Sequence, residues 1–316
     1  MKTISTILSL SIAFSLMATV PLRAQEEAGA IAFPVDPFLF VDQPFNGCEG
    51  ISFNGEGRLF ATCNQALWEI GVDQSARQVA ELFSNLGTAA VGDRDILVAD
   101  FGPTNAFRGE RNSDGVIWRI TPEGEKTEIS TGIGDPNFIV VLENGSLLVS
   151  DDATADIYLV ADDGVPKLFS TAVNHPNGLA LSADGNTLYV AQIFTSIRPV
   201  IADDAIWAIA LSEGKPVRDA KLVVRTGPNA AVDGLAMDIE GRLYIAANGA
   251  GQLWRYDPVT EEMLLLASGM FGLASLAFGA GEFDHQSIYA SATNAGGRGG
   301  KIWRIPVGTT GGRLYR

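Results

Sequence analysis

Basic residues are scarce in this sequence: 22 lysines and arginines stand against 37 aspartates and glutamates, a net charge of −15. Such a surface repels phosphate backbones, which argues against nucleic acid as a partner, and it tolerates cations well. Cysteine is nearly absent, with Cys48 and Cys63 alone, and histidine is limited to His175 and His285. Beyond the first 24 residues no apolar run is long enough to cross a bilayer. The same stretch has no helical periodicity of useful length, and no Gly-x-Ser-x-Gly elbow to mark a serine nucleophile.

The first 24 residues stand apart. Lys2 gives a positive start, an apolar run follows from Ile7 to Val20, and Pro21-Leu22-Arg23-Ala24 supplies small-residue cleavage chemistry. The run is too short to span a membrane comfortably, so residues 1–24 read as an export signal and residues 25–316 as the mature domain. No cysteine follows the cut to take a lipid. Cleavage removes two cations and no anion, leaving 37 acidic against 20 basic residues and a net charge of −17. The expected address is the periplasm or the exterior. In that oxidising setting Cys48 and Cys63 can bridge across a hairpin: if Phe53 pairs with Arg58, counting outward brings Cys48 opposite Cys63. Two free, buried thiols are the alternative.

What the chain has in quantity is glycine, 35 residues, and a repeated phrase. A buried strand, a tight turn and a second buried strand occur in Glu49–Thr62, Ala89–Asp100, Asn137–Ser150, Asn177–Ala191, Asp233–Ala246 and Ser275–Ser291. A third strand follows each, with Trp68, Trp118, Tyr158, Trp207, Trp254 or Trp303 near its middle. Five of the six copies have a fourth strand, and Phe38-Leu39-Phe40-Val41 is left over at the start to fill the missing place. The period averages about 45 residues, as four-stranded propeller blades require. The sequence therefore predicts an all-β, six-bladed β-propeller with four antiparallel strands per blade, closed by the N-terminal outer strand. A stack of β-sandwiches gives no reason for so regular a repeat.

In a propeller the first strand of every blade lines the central channel, so equivalent positions meet around the axis. At the position opening that strand stand Glu49, Leu86 or Asn85, Asn137, Asn177, Asp233 and Ala274. Four are oxygen donors and two of these are carboxylates, which suits a hard divalent cation. Calcium is the first expectation, with magnesium or manganese as alternatives; the lack of Cys or His there disfavours zinc. The alternative for each residue is a local bond to backbone.

The phrases Cys48-Glu49-Gly50, Asp135-Pro136-Asn137, His175-Pro176-Asn177-Gly178 and Val232-Asp233-Gly234, in this order, resemble the gluconolactonase, regucalcin and strictosidine-synthase-like group of six-bladed propellers. The resemblance covers nearly the whole mature chain. It implies a divalent metal held by Glu49, Asn177 and Asp233, with Asn137 as a fourth ligand or a substrate contact. It also implies hydrolysis of a lactone or related ester, with Asp233 as the base. Two positions depart from the group: Phe138 stands where an Asp is usual, and Asp135 where the regucalcin branch has a sugar-gripping Arg. A sugar-acid substrate therefore does not follow.

The expected function is a metal-dependent lactonase. The alternatives are a non-catalytic propeller that binds a ligand or protein at its mouth, and a non-hydrolytic enzyme on the same metal platform. The links 100–114, 192–204 and 293–300 should rim the mouth. Arg108, Arg111, Phe194, Arg198, Asn294 and Arg298 are candidates to hold an anionic or aromatic substrate. His175 is a candidate proton shuttle, with a packing role in its loop as the alternative. His285 falls at the opposite end and has no expected role. A monomer and a dimer are equally open.

Overall fold

The computed structural model describes residues 31–41, 45–84, 86–104, 112–293 and 300–315; the expected export signal lies outside them. Every described regular element is a strand. Blade 1 is Cys48–Phe53, Leu59–Cys63, Ala66–Ile70 and Ala76–Glu81; blade 2 is Thr88–Val91, Asp95–Asp100, Gly115–Ile120 and Lys126–Ile133. Blade 3 is Pro136–Val141, Leu147–Asp151, Ile157–Val160 and Pro166–Ser170; blade 4 is Pro176–Leu181, Thr187–Ile197, Val200–Ser212 and Lys221–Arg225, with a two-residue ribbon at Lys215–Pro216. Blade 5 is Val232–Met237, Leu243–Ala247, Gln252–Tyr256 and Met263–Ser268. Blade 6 is Leu273–Phe278, Ser287–Ala292 and Lys301–Pro306, with Phe38–Val41 as its outer strand. The innermost strands neighbour one another in sequence order, and that of blade 6 meets that of blade 1. The protein is a six-bladed β-propeller closed by a strand from its N-terminal side.

The hydrophobic core is divided into six, one part between each pair of blades. Phe60, Leu67, Ile96 and Ile120 fill the space between blades 1 and 2, and Leu148, Leu179, Leu188 and Ile209 that between blades 3 and 4. The closing seam, between blades 6 and 1, is different in kind. It holds the Cys48–Cys63 disulfide and an aromatic cluster in which Tyr289 lies 5.1 Å from Phe40, 5.6 Å from Phe53 and 5.3 Å from Phe283, ring centre to ring centre. This seam joins the last blade to the first, so its loss opens the ring. Tyr289 is 2% exposed, and Tyr289→Ala should cost about 3–5 kcal/mol in a denaturant titration. Tyr289→Phe, which keeps the ring and loses one bond from the Asp284 amide, should cost only about 1 kcal/mol.

The register departs from the simple hairpin count in an informative way. Phe53 pairs with Leu59, not Arg58, and Ile51 with Ala61, yet Cys48 still meets Cys63. One extra residue is absorbed between Cys48 and Ile51. The same irregularity sits between Pro136 and Ile139, Pro176 and Leu179, Val232 and Leu235, and Leu273 and Leu276. Each is a bulge that contains the second residue of the innermost strand, and bulges re-aim side chains where a site needs it. Those second residues are Glu49, Asn137, Asn177, Asp233 and Ala274.

A second correction concerns residues 192–204. They form a β-hairpin continuing the second and third strands of blade 4, with Gln192 paired to Ala205 and Ile197 to Val200. Gln192 Oε1 accepts from the Trp207 indole and its amide donates to the Phe194 carbonyl, which carries the pairing outward.

At the far end of the channel the chain after blade 6 returns. Gly312 donates to the Met237 carbonyl and Ile239 to that of Thr310, and residues Thr310–Tyr315 line a cavity of about 580 Å³ together with Phe138, Leu179, Leu235 and Leu276. His285 lines the same cavity, away from the polar end.

Candidate metal centre

Neighbouring blades hold the opening positions of their innermost strands in a continuous ring of contacts. Thr62 Oγ1 accepts from the Gly50 amide and donates to the Leu86 carbonyl at 2.7 Å, which identifies Leu86 as the second blade's opening residue; Asn85 lies outside the described residues. Ser150 Oγ does the same between the Phe138 amide and the Asn177 carbonyl, and Ser291 Oγ between the Ser275 amide and the Glu49 carbonyl. The Gly87 amide donates to the Asn137 carbonyl at 2.9 Å. At the two remaining joints glycine is required by close approach: a Cβ on Gly178 would sit 2.1 Å from the Asp233 carbonyl oxygen, and one on Gly234 would sit 2.5 Å from that of Ala274.

The side chains carried on this ring are withdrawn from water. Asn137, Asn177 and Asp233 are buried and Glu49 half-buried. Their carboxylates share one field. The Glu49 carboxyl is pushed well above its usual range by burial, then by the charges of Asp233 and Asp152. Burial raises Asp233 to about 7 against the pull of the Asn248 amide. Asp152 is raised by burial and by Asp151, Asp135 and Asp233. Among the described residues no lysine or arginine pairs with Glu49, Asp152 or Asp233.

Two other buried aspartates show what a structural carboxylate looks like here. Asp100 accepts from the amides of Phe83, Ser84 and Gly102, the Ser84 hydroxyl and the Trp118 indole. Asp238 accepts from the amides of Glu240 and Arg242, the Arg242 guanidinium and the Tyr244 hydroxyl. By contrast, one side-chain oxygen on each of Asn137, Asn177, Asp233 and Asp152 is buried with no partner. Burying an acceptor unpaired costs about 1–3 kcal/mol, so bare oxygens on three bulged positions and on Asp152, which is bonded to one of them, are candidates to hold a ligand. Among the described residues no three Asp, Glu, His or Cys side chains converge closely enough to hold a metal unaided. The bulged positions offer a mixed set, the carboxylates of Glu49 and Asp233 with the amide oxygens of Asn137 and Asn177. The residues fit a hard divalent cation.

Sequence reasoning missed two residues that contact this set. Asp152 Oδ2 accepts from Asn137 Nδ2 at 3.0 Å, and Asn248 Nδ2 donates to Asp233 Oδ2 at 2.8 Å. Each lies 15 residues after its partner, immediately past the second strand of its blade. The signal was present: Asn64 and Gln192 stand 15 residues after Glu49 and Asn177.

His175 has a left-handed backbone, φ 46°, and its Nδ1 lies 2.8 Å from the Asp152 carbonyl oxygen. A carbonyl only accepts, so Nδ1 carries the proton and Nε2 is left as the acceptor in the neutral ring. Phe194, at the base of the blade-4 hairpin, has its ring centre 6.4 Å from that of His175. Arg198 is exposed at the hairpin's turn. Asp135 is fully buried and accepts from Asn112. Arg108, Arg111, Asn294 and Arg298 lie outside the described residues.

Residues 145–290 match the model of the SMP-30/Gluconolactonase/LRE-like region, so the family resemblance read from the sequence is met over a stretch that includes Asn177 and Asp233. A search among curated proteins finds no match. Among solved structures the chain is similar to the calcium-binding protein regucalcin from Agrobacterium tumefaciens, with 19% identity, a TM-score of 0.69, and 89% of this chain and 97% of that one covered. It is similar to a gluconolactonase from Xanthomonas campestris, with 20% identity, a TM-score of 0.67, and 85% and 89% covered. It is also similar to virginiamycin B lyase from Staphylococcus aureus, with 14% identity, a TM-score of 0.55, and 86% and 98% covered. At these identities the likeness is one of fold.

Proposed function

We propose, for a chain that carries an SMP-30/gluconolactonase/LRE-like region on a six-bladed ring, that it is an exported hydrolase of a lactone or related cyclic ester, dependent on a divalent cation at the hub. The observation that carries this reading is the set of unpartnered buried oxygens on Asn137, Asn177 and Asp233, beside a Glu49 carboxyl raised by burial and by its acidic neighbours. Glu49, Asn137, Asn177 and Asp233 are the residues that would hold the cation. Calcium is preferred, since flexible all-oxygen sets of carboxylates and amides suit it best. The calcium-binding name of one structural relative agrees with this choice.

When bound, a divalent cation polarises an ester carbonyl and lowers the pKa of water. The chain's own residues do the rest. Asn248 holds Oδ2 of Asp233 and leaves Oδ1 facing the cation position; the same carboxylate would take a proton from an attacking water and pass it to the departing alkoxide. His175, with Nε2 as an acceptor, would bind a substrate hydroxyl or water near Asn177. Phe194 and Arg198 belong to the hairpin that would border the substrate. A lactone suits this arrangement because its leaving alcohol stays tethered and needs no second pocket.

The test is elemental analysis of the purified protein, followed by a panel of lactones assayed with and without chelator. The reading expects a bound divalent cation and hydrolysis that chelator abolishes and calcium restores. Protein that takes up no cation sinks it. A bound cation with no hydrolysis across the panel moves the reading to a ligand-binding propeller or a non-hydrolytic enzyme.

A further inference from the structure

One buried carboxylate beside the hub lies outside the opening positions of the inner strands. Asp152 is 4% exposed and follows directly on the strand Leu147–Asp151. Its Oδ2 accepts from Asn137 Nδ2 at 3.0 Å, and its Oδ1 has no partner. In the structure Asn137 turns its NH2 toward Asp152, and a carboxylate oxygen accepts it. The amide oxygen then points the other way, and it is the oxygen that is buried and unpaired. An asparagine amide is close to symmetric in shape, so only its partners decide which end faces a site. Here the deciding partner is Asp152.

Blade 5 contains the same device with the chemistry exchanged. There the inner residue is the carboxylate, Asp233, and the residue 15 positions on is the amide, Asn248, which donates at 2.8 Å. In both blades the contact consumes one polar atom of the inner residue and leaves one buried oxygen free. Two blades with opposite residue types reach the same result, which sets the contact apart from incidental packing.

We infer that Asp152 is a positioning residue that fixes the amide of Asn137, so that blade 3 presents an oxygen and not an NH2 to a cation at the hub. The inference rests on the reading of the hub as a cation site. Asp152 is assigned no ligand role in this inference: it follows the second strand of blade 3, one strand out from the bulged positions, and one of its oxygens is taken by Asn137. An Asn137 turned the wrong way would remove one donor and aim two N–H groups at a positive ion. Outer partners that orient metal ligands are typically worth about 10–100-fold in metal affinity.

The experiment is a double-mutant cycle on calcium binding, measured by calorimetry at pH 7.5. The four proteins are the parent, Asp152→Asn, Asn137→Asp and the double variant. In the parent background Asp152→Asn frees the Asn137 amide to flip, and affinity should fall by about 10–100-fold. In the Asn137→Asp background there is no amide to orient, and the same change should cost less than about threefold, a non-additivity expected of residues in contact. Asp152→Ala is the second variant and should show the same pattern. Circular dichroism melts in chelator establish that each protein is folded. If the parent takes up no calcium, the cation reading itself fails. If the parent binds but Asp152→Asn binds as tightly, only the positioning role fails. An equal loss in both backgrounds would mean that Asp152 acts by its charge, which also overturns the inference.

Discussion

Replacing Asp233 by asparagine should abolish lactone hydrolysis and, at the same time, make the cation-free protein more resistant to heat at pH 8. The two effects have one cause. Asp233 is 2% exposed, receives one side-chain bond from Asn248, and shares its surroundings with the carboxyls of Glu49 and Asp152. Without a cation that arrangement stores repulsion, and burial raises Asp233 to about 7. Asparagine removes the charge and keeps the shape, so the metal-free fold gains. It also removes both a charged donor and the base, and general-base loss alone is worth about 10²–10⁴-fold. A variant that merely misfolds would lose activity and melt earlier. Loss of turnover with a higher melting temperature in chelator separates the two explanations, and an active Asp233→Asn protein would refute the assignment.

The second large effect is a pH dependence that changes with the cation. Glu49, Asp151, Asp152 and Asp233 are all raised, Asp151 and Asp233 to about 7. An acid whose folded pKa lies above its unfolded one binds more protons when folded, so stability falls as pH rises from the unfolded value, near 4, through the folded value near 7. Each unit is worth about 1.4 kcal/mol, so a carboxyl moved by about three units withdraws at most about 4 kcal/mol across that window. In chelator the protein should melt higher at pH 5 than at pH 8, by roughly 5–10 °C for a domain of this size. Calcium should reverse the trend, because it competes with protons at pH 5 and fills a charged site at pH 8. At a thousandfold excess over its Kd a ligand adds about 4 kcal/mol. A calcium-induced rise in melting temperature that grows from pH 5 to pH 8 is the expected result. A rise independent of pH would place the ion away from these carboxylates.

The ring was legible in the sequence because strand alternation and turn glycines are local, and six copies of one local pattern leave little choice of fold. The opening residues of the inner strands were legible for the same reason: Glu49, Asn137, Asn177 and Asp233 occupy one position of the repeat. What the repeat hides is the bulge. Counting from Phe53 and Arg58 in an unbroken ladder brings the cysteines opposite each other, while the structure reaches the same pairing from Phe53 and Leu59 with one residue inserted at Glu49-Gly50. That insertion depends on neighbouring blades, through Thr62, Ser150, Ser291 and the glycines that admit the next carbonyl, and no single hairpin reveals it. Asp152 and Asn248 escaped notice because they lie past a strand end, where an acid or amide ordinarily reads as a loop residue. The residues 192–204 were read as a loop because Arg198-Pro199 breaks the run in its middle, where the structure puts the turn of a hairpin held by cross-strand pairs.

The central claim is that Glu49, Asn137, Asn177 and Asp233 share one divalent cation. It is tested most directly by a crystal structure grown with calcium, with the ion located from anomalous scattering. The account predicts a single strong peak on the propeller axis, within about 2.3–2.6 Å of the oxygens of those four side chains. A peak elsewhere, or four side chains that keep their oxygens apart in saturating calcium, would contradict it.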